Sequence, residues 1–427
     1  MSNSFRRFDV FFADAGAGNS FAARPFELSI RKGRKDRPIP RKPSLTLSDI
    51  RFPGGTQFRT AREHKEALSL IRRLAVSPGV AVADQALSAA TLEPLTGGRS
   101  AARVFKLTPF FGPGRRVQGP PVVVKIAPRA EGVSEKANYD KFVRWALPAA
   151  CRPDLLGFGR TRAYAGLCFS FVGRSGGSRI DTLTDCLLRG DGTKVELVLR
   201  RVFDPLRDTW YSPAQFRAER DIARRYLDRY FTGPRSTAET EATLLACAAR
   251  YFNARQKDGR YVIGGLSFPS PRATLFSSGR KRPYRSCILH GDLNSDNIVV
   301  ADDPAGVTVV DFQKTGRGHV YEDLIHLEAS VRINYVRDAS FGGILEKERL
   351  IALGRRAPRN DPYSAAIRKI RDAAFRYFGR VDDEANYHFA VAAIGLRLMR
   401  TVDLSHVARA RITASALWAA KALAREI

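Results

Sequence analysis

Three polar side chains in the second half of the sequence have the types and the spacing that metal-assisted chemistry on phosphate requires. Asp292 precedes Asn297 by five residues, and Asp311 follows Asn297 by fourteen residues, at the end of an apolar run. A carboxylate can orient an attacking hydroxyl group and accept its proton. Carboxylate and amide oxygens are hard ligands that Mg²⁺ prefers. The pattern therefore predicts Asp292 as the proton acceptor, and Asn297 and Asp311 as metal ligands.

The residues around Asn297 and Asp311 predict the element that brings these two side chains together. Residues 298–300 and 307–310 are short β-branched runs, and residues 301–306 between them are rich in turn formers. Such a pattern is typical of a β-hairpin. A hairpin would place Asn297 and Asp311 at the same end of two neighbouring strands, close enough to share a cation.

Two further residues are predicted to support the segment that carries Asp292. His290 precedes Asp292 by two residues and is expected to hold the loop by hydrogen bonding. Asp323 follows Asp311 by twelve residues and is expected to brace the same loop from behind. Any one of these acids, taken alone, is more often a cap or a turn residue, and the joint spacing is what favours a catalytic site.

An upstream lysine and a glutamate complete the predicted set of charges. Lys125 ends an apolar β-branched run, so its ammonium group can emerge from a strand toward phosphate oxygens. Glu135 begins the next helical stretch and is the natural ion-pair partner of Lys125. Glu131 and Asp140 compete for that role, and a solvated lysine at a strand end is the alternative interpretation.

Two more segments are candidates for contact with a nucleotide. Gly97 and Gly98, with Ser100 after them, lie between two apolar pieces, where flexible backbone N–H groups can bind phosphate oxygens. Ser170 to Val172 are expected to form a hinge that contacts adenine, an assignment made from their order along the chain alone.

Composition limits the classes of protein to which the chain can belong. Its 427 residues are 44% hydrophobic and carry a formal net charge of +28. No run approaches the length of a membrane span, and the Arg6-Arg7 pair is not followed by the apolar stretch of a secretory signal. The five cysteines are scattered and form no Cys-x-x-Cys pair. A cytoplasmic protein without a membrane anchor, a disulfide framework or a zinc site is therefore expected.

The high positive charge has two interpretations. It can attract nucleic acid, acidic protein or phosphorylated substrates, or it can reflect solvated arginines on helix faces. Residues 31–42 carry seven basic residues against one acidic residue and contain two prolines. This segment is expected to be an extended arm, either inert or able to bind an acidic partner or nucleic acid.

The order of patterns along the chain predicts an α+β, two-lobed protein. Residues 1–60 form a basic N-terminal extension. Residues 61–172 alternate a helical segment with short strands and form a small β-rich N-lobe, with the Gly-Gly loop and Lys125. Residues 173–427 are dominated by helical patterns and form a large C-lobe that carries Asp292 and Asp311.

The motif His290-Gly291-Asp292-x-x-x-x-Asn297, with Asp311-Phe312 and Asp323, resembles the aminoglycoside phosphotransferase and choline kinase branch of the protein-kinase-like superfamily. The resemblance covers roughly residues 86–335. It implies the bilobal protein-kinase-like fold, ATP or GTP with Mg²⁺, and Asp292 as catalytic acid/base. It also implies metal binding by Asn297 and Asp311, and Lys125 on the nucleotide phosphates.

Departures from protein kinases indicate the class of acceptor. Gly291 stands in place of the arginine that reads a phosphorylated activation loop, and no Ala-Pro-Glu segment follows Asp311. The leading hypothesis is therefore a kinase that transfers the γ-phosphate of ATP to a hydroxyl group of a small molecule. The alternatives are a nucleotide-binding regulatory module of a signalling or conflict system that acts through protein partners, and transfer of phosphate or AMP to a protein.

Overall fold

The structure is a computed structural model of the chain. It describes residues 50–51, 60–77, 79–80, 87–95, 102–112, 117–172, 181–231, 234–276, 281–301, 306–335, 340–354 and 361–425. For residues 50–51 and 234–235 it describes the backbone alone. The basic segment 31–42 and the glycine loop at 97–98 lie outside these ranges, as does Ser100.

A seven-stranded sheet forms the first part of the described chain. Its strands are β1 (Ile50–Arg51), β2 (Leu87–Pro94), β3 (Arg103–Phe111), β4 (Val117–Gln118), β5 (Val122–Pro128), β6 (Leu155–Arg160) and β7 (Tyr164–Ser170). The order is β1-β2-β3-β5-β7-β6, with β4 paired to β3. All neighbouring pairs are antiparallel except β1 with β2. Lys125 lies in β5, where it is paired with Leu167 of β7. Its backbone is therefore held in the interior of the sheet.

Helix α1 (Ala61–Ala75) packs against this sheet. It begins at Thr60, whose hydroxyl accepts a hydrogen bond from the backbone N–H of Glu63. Leu70 and Leu74 lie one turn apart on its buried face. A Cβ atom at Gly166 of β7 would come within 2.8 Å of the Leu74 side chain, so glycine is what allows this close packing. The predicted helix from residue 61 is confirmed.

Helix α2 (Arg129–Asn138) follows β5 directly and continues into a π-helical turn, Tyr139–Val143. Glu135 and Tyr139 are buried on the side of α2 that faces the rest of the protein. The Asn138 side chain donates a hydrogen bond of 2.7 Å to the carbonyl oxygen of Gln313. Helix α2 is thereby attached to the segment that follows Asp311.

The second part of the described chain is mainly helical. Its helices are α3 (Leu183–Arg189), α4 (Gly192–Asp208), α5 (Ile222–Tyr230), α6 (Pro234–Phe252), α7 (Pro271–Phe276), α8 (Glu322–Asn334), α9 (Phe341–Ala352), α10 (Pro362–Phe378), α11 (Glu384–Leu398) and α12 (His406–Leu423). The α+β class and the division into a sheet-rich part and a helix-rich part agree with the prediction. The lobe boundary at 172–173 stays a prediction, since the described chain resumes at Asp181.

Three small antiparallel sheets interrupt the helices. Their strands are β8 (Asp181–Thr182), β9 (Arg217–Glu219), β10 (Arg255–Lys257), β11 (Arg260–Ile263), β12 (Leu266–Pro269), β13 (Tyr284–Leu289), β14 (Ile298–Val300), β15 (Val307–Val309) and β16 (Gly316–His319). They pair in the orders β10-β11-β12, β16-β13-β9 and β15-β14-β8. The predicted hairpin is confirmed, because β14 and β15 pair antiparallel with Ile298 opposite Val309.

Helices α8, α11 and α12 form the centre of the helical part. Residues 386–396 of α11 are buried all round, and Gly395 allows α12 to approach, since a Cβ there would lie 2.9 Å from the Cβ of Ala416. This packing holds the last turn of α11, which carries Arg397, beside α8. Within the described residues, no helix is both long enough and apolar enough to cross a bilayer.

Candidate active site

Lys125 lies between two carboxylates contributed by different elements. Its Nζ is 2.8 Å from Oε2 of Glu135 on α2 and 2.9 Å from Oδ1 of Asp311, just after β15. The lysine side chain is only 9% exposed. Burial alone would lower the pKa of Lys125, but the two carboxylates outweigh burial and raise the pKa above its usual value. Lys125 is therefore a fixed cation that ties the sheet to α2 and to the end of the hairpin.

Asp311 has a backbone conformation that aspartate rarely adopts. Its φ of 68° and ψ of 73° lie in the left-handed region, which costs about 1–3 kcal/mol for a residue other than glycine and is found mainly at functional sites. The next residue, Phe312, is fully buried against the rings of Tyr139 and His290, with centroid distances of 5.8 and 5.4 Å. This packing holds the strained turn that directs the Asp311 carboxylate toward Lys125.

Asp323 holds the loop that carries Asp292. From the first turn of α8, its carboxylate accepts hydrogen bonds from the backbone N–H groups of His290 and Gly291, at 2.7 and 2.8 Å. It also accepts one from the hydroxyl of Tyr211, at 2.9 Å. Burial raises the pKa of Asp323, although these donors and His290 oppose the increase. Asp323 thus lies behind the loop, where the sequence predicted it.

Gly291 and His290 allow the loop that carries Asp292 to pack closely against its neighbours. Gly291 has a φ of +81°, and a Cβ there would come within 2.2 Å of the Lys314 carbonyl oxygen. The His290 side chain is fully buried, with Nε2 at 2.9 Å from the Val310 carbonyl oxygen. His290 therefore links the loop to the hairpin and does not line the cavity beside Asp292.

Asn297 is oriented by its neighbours on both sides. Its side-chain NH₂ donates a hydrogen bond of 2.9 Å to the carbonyl oxygen of Asp292. The backbone carbonyl oxygen of Asn297 accepts a hydrogen bond of 3.0 Å from the backbone N–H of Val310. Because the side-chain NH₂ group is hydrogen-bonded to Asp292, the side-chain oxygen Oδ1 of Asn297 is the atom that can bind another ligand. Asn297 and Asp311 both line a cavity of about 330 Å³ that also contains Asp292.

The donor set fits a magnesium ion that shares its coordination with phosphate. Mg²⁺ is usually bound by one or two protein oxygens, with phosphate oxygens and water completing the octahedron. Asn297 Oδ1 and the Asp311 oxygen not paired with Lys125 supply two such ligands. Among the residues that the structure describes, no group of three or more His, Cys, Asp or Glu side chains could hold a metal ion. An ion held by these two side chains would take its remaining ligands from phosphate oxygens and water.

Asp292 faces the cavity and is ion-paired with Lys314. Lys314 Nζ lies 2.7 Å from Asp292 Oδ2. Burial would raise the pKa of Asp292, but positive charge at His326, Lys314 and Arg397 outweighs burial and lowers the pKa to about 2. The pKa of His326 itself falls to about 4, because it is buried and close to Arg397. At neutral pH His326 is therefore uncharged, and Lys314 and Arg397 are the cations that keep Asp292 ionised.

A second cavity, of about 350 Å³, opens on the other side of Asp292. It shares with the first cavity Asp292, Lys314, His326 and Arg397, and it adds Arg229, Tyr230 and Gly291. Tyr230 donates or accepts a hydrogen bond of 2.8 Å at Nε2 of His326. Of the described residues that line this second cavity, Asp292 alone is a carboxylate.

The structure brings some of the predicted residues together and leaves others apart. Brought together are Lys125, Glu135, Asp292, Asn297 and Asp311, with His290 and Asp323 directly behind them. Gly97, Gly98 and Ser100 lie outside the described residues.

The two predicted hinge residues lie away from the cavities. The Ser170 hydroxyl accepts a hydrogen bond of 2.8 Å from the N–H of Asp154. Val172 follows the end of β7 and is half-buried. Neither residue lines the two cavities beside Asp292. Their predicted contact with adenine stays a prediction.

Sequence reasoning missed several residues around Asp292, namely Arg229, Tyr230, Lys314, His326 and Arg397. Lys314 follows Asp311 by three residues, so its place beside the site could have been inferred from the motif. Arg397 comes from an alanine-rich helix more than a hundred residues after Asp292, and no pattern in the sequence marks it.

Comparison with solved structures finds phosphotransferases. An aminoglycoside phosphotransferase from Streptomyces rimosus is 19% identical, with 71% of this chain and 97% of that chain covered and a TM-score of 0.34. An amicoumacin kinase is 9% identical, with coverages of 86% and 96% and a TM-score of 0.37. A Plasmodium vivax ethanolamine kinase is 11% identical, with coverages of 79% and 84% and a TM-score of 0.36.

Sequence comparison gives one family. No curated protein sequence matches this chain. The profile described as Ternary complex associated domain 9 matches residues 88–242 and 234–381, which together are more than half of the chain. These matches contain both the Lys125–Glu135 pair and the loop with Asp292, Asn297 and Asp311. The chain therefore belongs to the Ternary complex associated domain 9 family.

Proposed function

We propose that the protein is an ATP- and Mg²⁺-dependent phosphotransferase that transfers the γ-phosphate to a hydroxyl group of a small molecule. The observation that carries the proposal is the bridge at Lys125, whose Nζ lies 2.8 Å from Glu135 and 2.9 Å from Asp311. Protein kinases require an ion pair between a strand lysine and a helix glutamate, together with an aspartate that holds the metal. Asp311 lines one cavity with Asp292 and Asn297.

Each residue has a defined role under this proposal. Lys125 binds α- and β-phosphate oxygens of ATP, and GTP offers the same oxygens. Asn297 and Asp311 hold the metal, which when bound supplies positive charge to the phosphates. Asp292 accepts a hydrogen bond from the acceptor hydroxyl and aligns its oxygen with the γ-phosphorus. A new O–P bond forms, the bond from the γ-phosphorus to the β,γ-bridging oxygen breaks, and the hydroxyl proton passes to Asp292.

The ionisation of Asp292 suits late proton transfer. With a pKa of about 2, its carboxylate is a weak base that remains charged at neutral pH. It therefore orients the hydroxyl in the ground state and takes the proton only when the O–P bond is well advanced. A hydroxyl that binds at Asp292 Oδ2 takes the place of Lys314 there, and phosphate oxygens would give the lysine ammonium group a new partner.

The short connection after Asp311 favours a small acceptor. Strand β16 ends at His319 and α8 begins at Glu322. Only two residues separate these elements, so the chain has no room there for a segment that docks a peptide. Transfer of phosphate or AMP to a protein is the less favoured alternative for this reason.

The test is nucleotide binding and turnover, measured with Mg²⁺ present and after chelation. A panel of hydroxylated metabolites and aminoglycosides serves as acceptors for wild type and Asp311→Ala. We expect metal-dependent binding and turnover in wild type, and a strong loss of both in Asp311→Ala. Asp372→Ala, which removes an exposed acid on α10, is the matched control. Absence of nucleotide binding in wild type would overturn the proposal.

A second candidate is a nucleotide-binding module that acts through protein partners. The description of the family as a domain associated with a ternary complex favours it. So does the ion pair that occupies Asp292. Under this alternative, removal of residues 1–60 abolishes partner binding and spares nucleotide binding, and no acceptor is phosphorylated. An acidic partner or nucleic acid at the basic arm 31–42 would show affinity that falls steeply with salt.

The cysteines support a proposed cytoplasmic location. All five (Cys151, Cys168, Cys186, Cys247 and Cys287) are free. Cys168 is fully buried, and burial raises the pKa of its thiol to about 12. Free thiols of this kind are typical of a reducing compartment.

A further inference from the structure

We infer that the acceptor carries a negatively charged group, and that the guanidinium group of Arg397 binds it. The inference rests on the proposed phosphotransferase function, because it names the class of molecule that receives the phosphate. The expected acceptor is a small hydroxylated carboxylate or phosphate ester that enters the cavity next to Asp292.

Arg397 has unused hydrogen-bonding capacity at the right place. It lies in the last turn of α11 and lines both cavities that meet at Asp292. Its guanidinium carbon is 4.9 Å from the centroid of the Tyr230 ring. Within the described chain, its side chain makes no hydrogen bond and no ion pair. A guanidinium group has five N–H donors in a planar fork that matches carboxylate and phosphate oxygens.

The other cations of the second cavity already have partners. Arg229 Nε lies 2.6 Å from Oε1 of the buried Glu322, and its Nη2 donates to the Gly291 carbonyl oxygen at 2.8 Å. Lys314 is paired with Asp292. His326 is uncharged at neutral pH. Among the described residues, Arg397 therefore acts on Asp292 only through its longer-range charge and has no carboxylate within ion-pair distance.

Binding of a neutral acceptor hydroxyl at Asp292 Oδ2 leaves the net charge of the cavity unchanged, but the hydroxyl takes the place of Lys314 there. Arg397 and Lys314 are then both without a carboxylate partner in this half-buried cavity. A cationic acceptor would add a third positive charge. An anionic acceptor provides a counter-ion for Arg397, and for Lys314 where it does not bind phosphate.

The size of the cavity limits the acceptor to a small molecule. Its volume of about 350 Å³ lies at the lower end of the range of ligand sites in proteins. Among the described residues that line it, one carboxylate faces three basic side chains, a ratio that disfavours a polycationic antibiotic. The charge and the size together favour a compact anionic alcohol.

Turnover with matched acceptors tests the inference. Hydroxy acids and sugar phosphates are each compared with an uncharged counterpart of the same skeleton, the amide or the free sugar, and with an amino alcohol. We expect kcat/KM to be highest for an anionic member, and the two anionic series distinguish a carboxylate from a phosphate ester. Arg397→Gln should raise KM for that acceptor by about 10- to 100-fold, as loss of a charged hydrogen bond does, with KM for ATP unchanged. Arg397→Lys should retain part of the preference.

Arg400→Gln is the matched control, because it removes one positive charge from an exposed position just after α11 and outside both cavities. Equal turnover of neutral or cationic counterparts, or an unchanged acceptor KM in Arg397→Gln, would overturn the inference while leaving the phosphotransferase proposal intact. Loss of all nucleotide binding in wild type would instead overturn the proposed function.

Calorimetry with inorganic phosphate and sulfate tests the anion site without turnover. Each titration is made twice, once without nucleotide and once with the nucleotide site filled by a non-hydrolysable ATP analogue and Mg²⁺. We expect wild type and Arg400→Gln to bind these anions and Arg397→Gln to bind them at least about 10-fold more weakly. If wild type binds neither anion, or Arg397→Gln binds both as wild type does, the inference is wrong.

Discussion

Lys314 Nζ lies 2.7 Å from Asp292 Oδ2, so the proposed proton acceptor and a cation from the neighbouring turn form an ion pair at the point where both cavities meet. This pair connects the two halves of the motif, since Asp292 belongs to the loop before β14 and Lys314 to the turn after Asp311. It keeps the carboxylate ionised and occupies one of its two oxygens. An acceptor that binds at Oδ2 would therefore compete with Lys314.

Asp292→Asn tests the assigned proton acceptor. The amide keeps the shape of the side chain but removes its charge and its basicity. We expect turnover to fall by ~10²–10⁴-fold, the usual contribution of a positioned general base, with little change in nucleotide affinity. Product release and equilibrium nucleotide binding are the measurements, and Asp372→Asn on the exposed face of α10 is the control. Unchanged turnover would remove Asp292 from the mechanism.

Lys314→Ala tests the origin of the low pKa of Asp292. In the wild type, Lys314 and Arg397 help to hold this pKa near 2. Without Lys314, burial acts against fewer cations, so the pKa of Asp292 rises. The acid limb of the kcat/KM profile that reports Asp292 should move to higher pH. Lys314→Arg should leave the limb near its wild-type position, and an identical limb in Lys314→Ala would contradict this account.

The half of the site that contains Asn297 and Asp311 could be predicted because its geometry is local. Asn297 and Asp311 flank a hairpin whose strands and turn are both visible in residue types, and Asp323 follows within the next element. Short sequence separations leave few ways to arrange these groups. Lys125 and Glu135 were also predictable, because a strand followed directly by a helix limits where the two side chains can meet.

The residues on the acceptor side of Asp292 could not be predicted, because they are distant from Asp292 in the sequence. Arg397 reaches Asp292 only because α11 is buried all round between α8 and α12, and hydrophobic periodicity gives no direction for such a helix. Periodicity also gave no sign of a change of helix type after residue 138. The structure ends α2 at Asn138 and continues with the π-helical turn Tyr139–Val143. The strands Arg255–Lys257, Arg260–Ile263 and Leu266–Pro269 were missed in a region expected to be helical, although Asp258-Gly259 and Gly264-Gly265 are turn signals.

The buried His326 should make the stability of the protein depend on pH. Burial and the charge of Arg397 lower its pKa from the usual 6.5 to about 4, against the opposite effects of Asp292 and Glu322. Between about pH 6.5 and pH 4 the unfolded chain therefore binds a proton that the native protein does not. The free energy of unfolding should fall as the pH falls through this window, by up to about 3 kcal/mol for this group.

Chemical denaturation at several pH values measures this effect. His326→Gln should flatten the pH dependence in that window, because glutamine keeps a polar group near Tyr230 but does not titrate. His406→Gln is the matched control, since His406 also contacts a tyrosine hydroxyl, that of Tyr251 at 2.8 Å, but is exposed. An equal slope in wild type and His326→Gln would show that other groups set the dependence.

Gly291→Ala tests the packing of the catalytic loop. The added Cβ would come within 2.2 Å of the Lys314 carbonyl oxygen, and the φ of +81° disfavours any side chain. Relief of the overlap must shift either the loop or the turn that carries Lys314, so we expect the free energy of unfolding to fall by at least ~1–3 kcal/mol and turnover to fall with it. Gly342→Ala is the control, because it adds the same methyl group in open space in the first turn of α9 and should leave the stability equal or slightly higher. Denaturant unfolding and turnover of both variants decide the matter. If Gly291→Ala matched Gly342→Ala in both measurements, the close approach of the loop to Lys314 would not be needed for the active arrangement of Asp292.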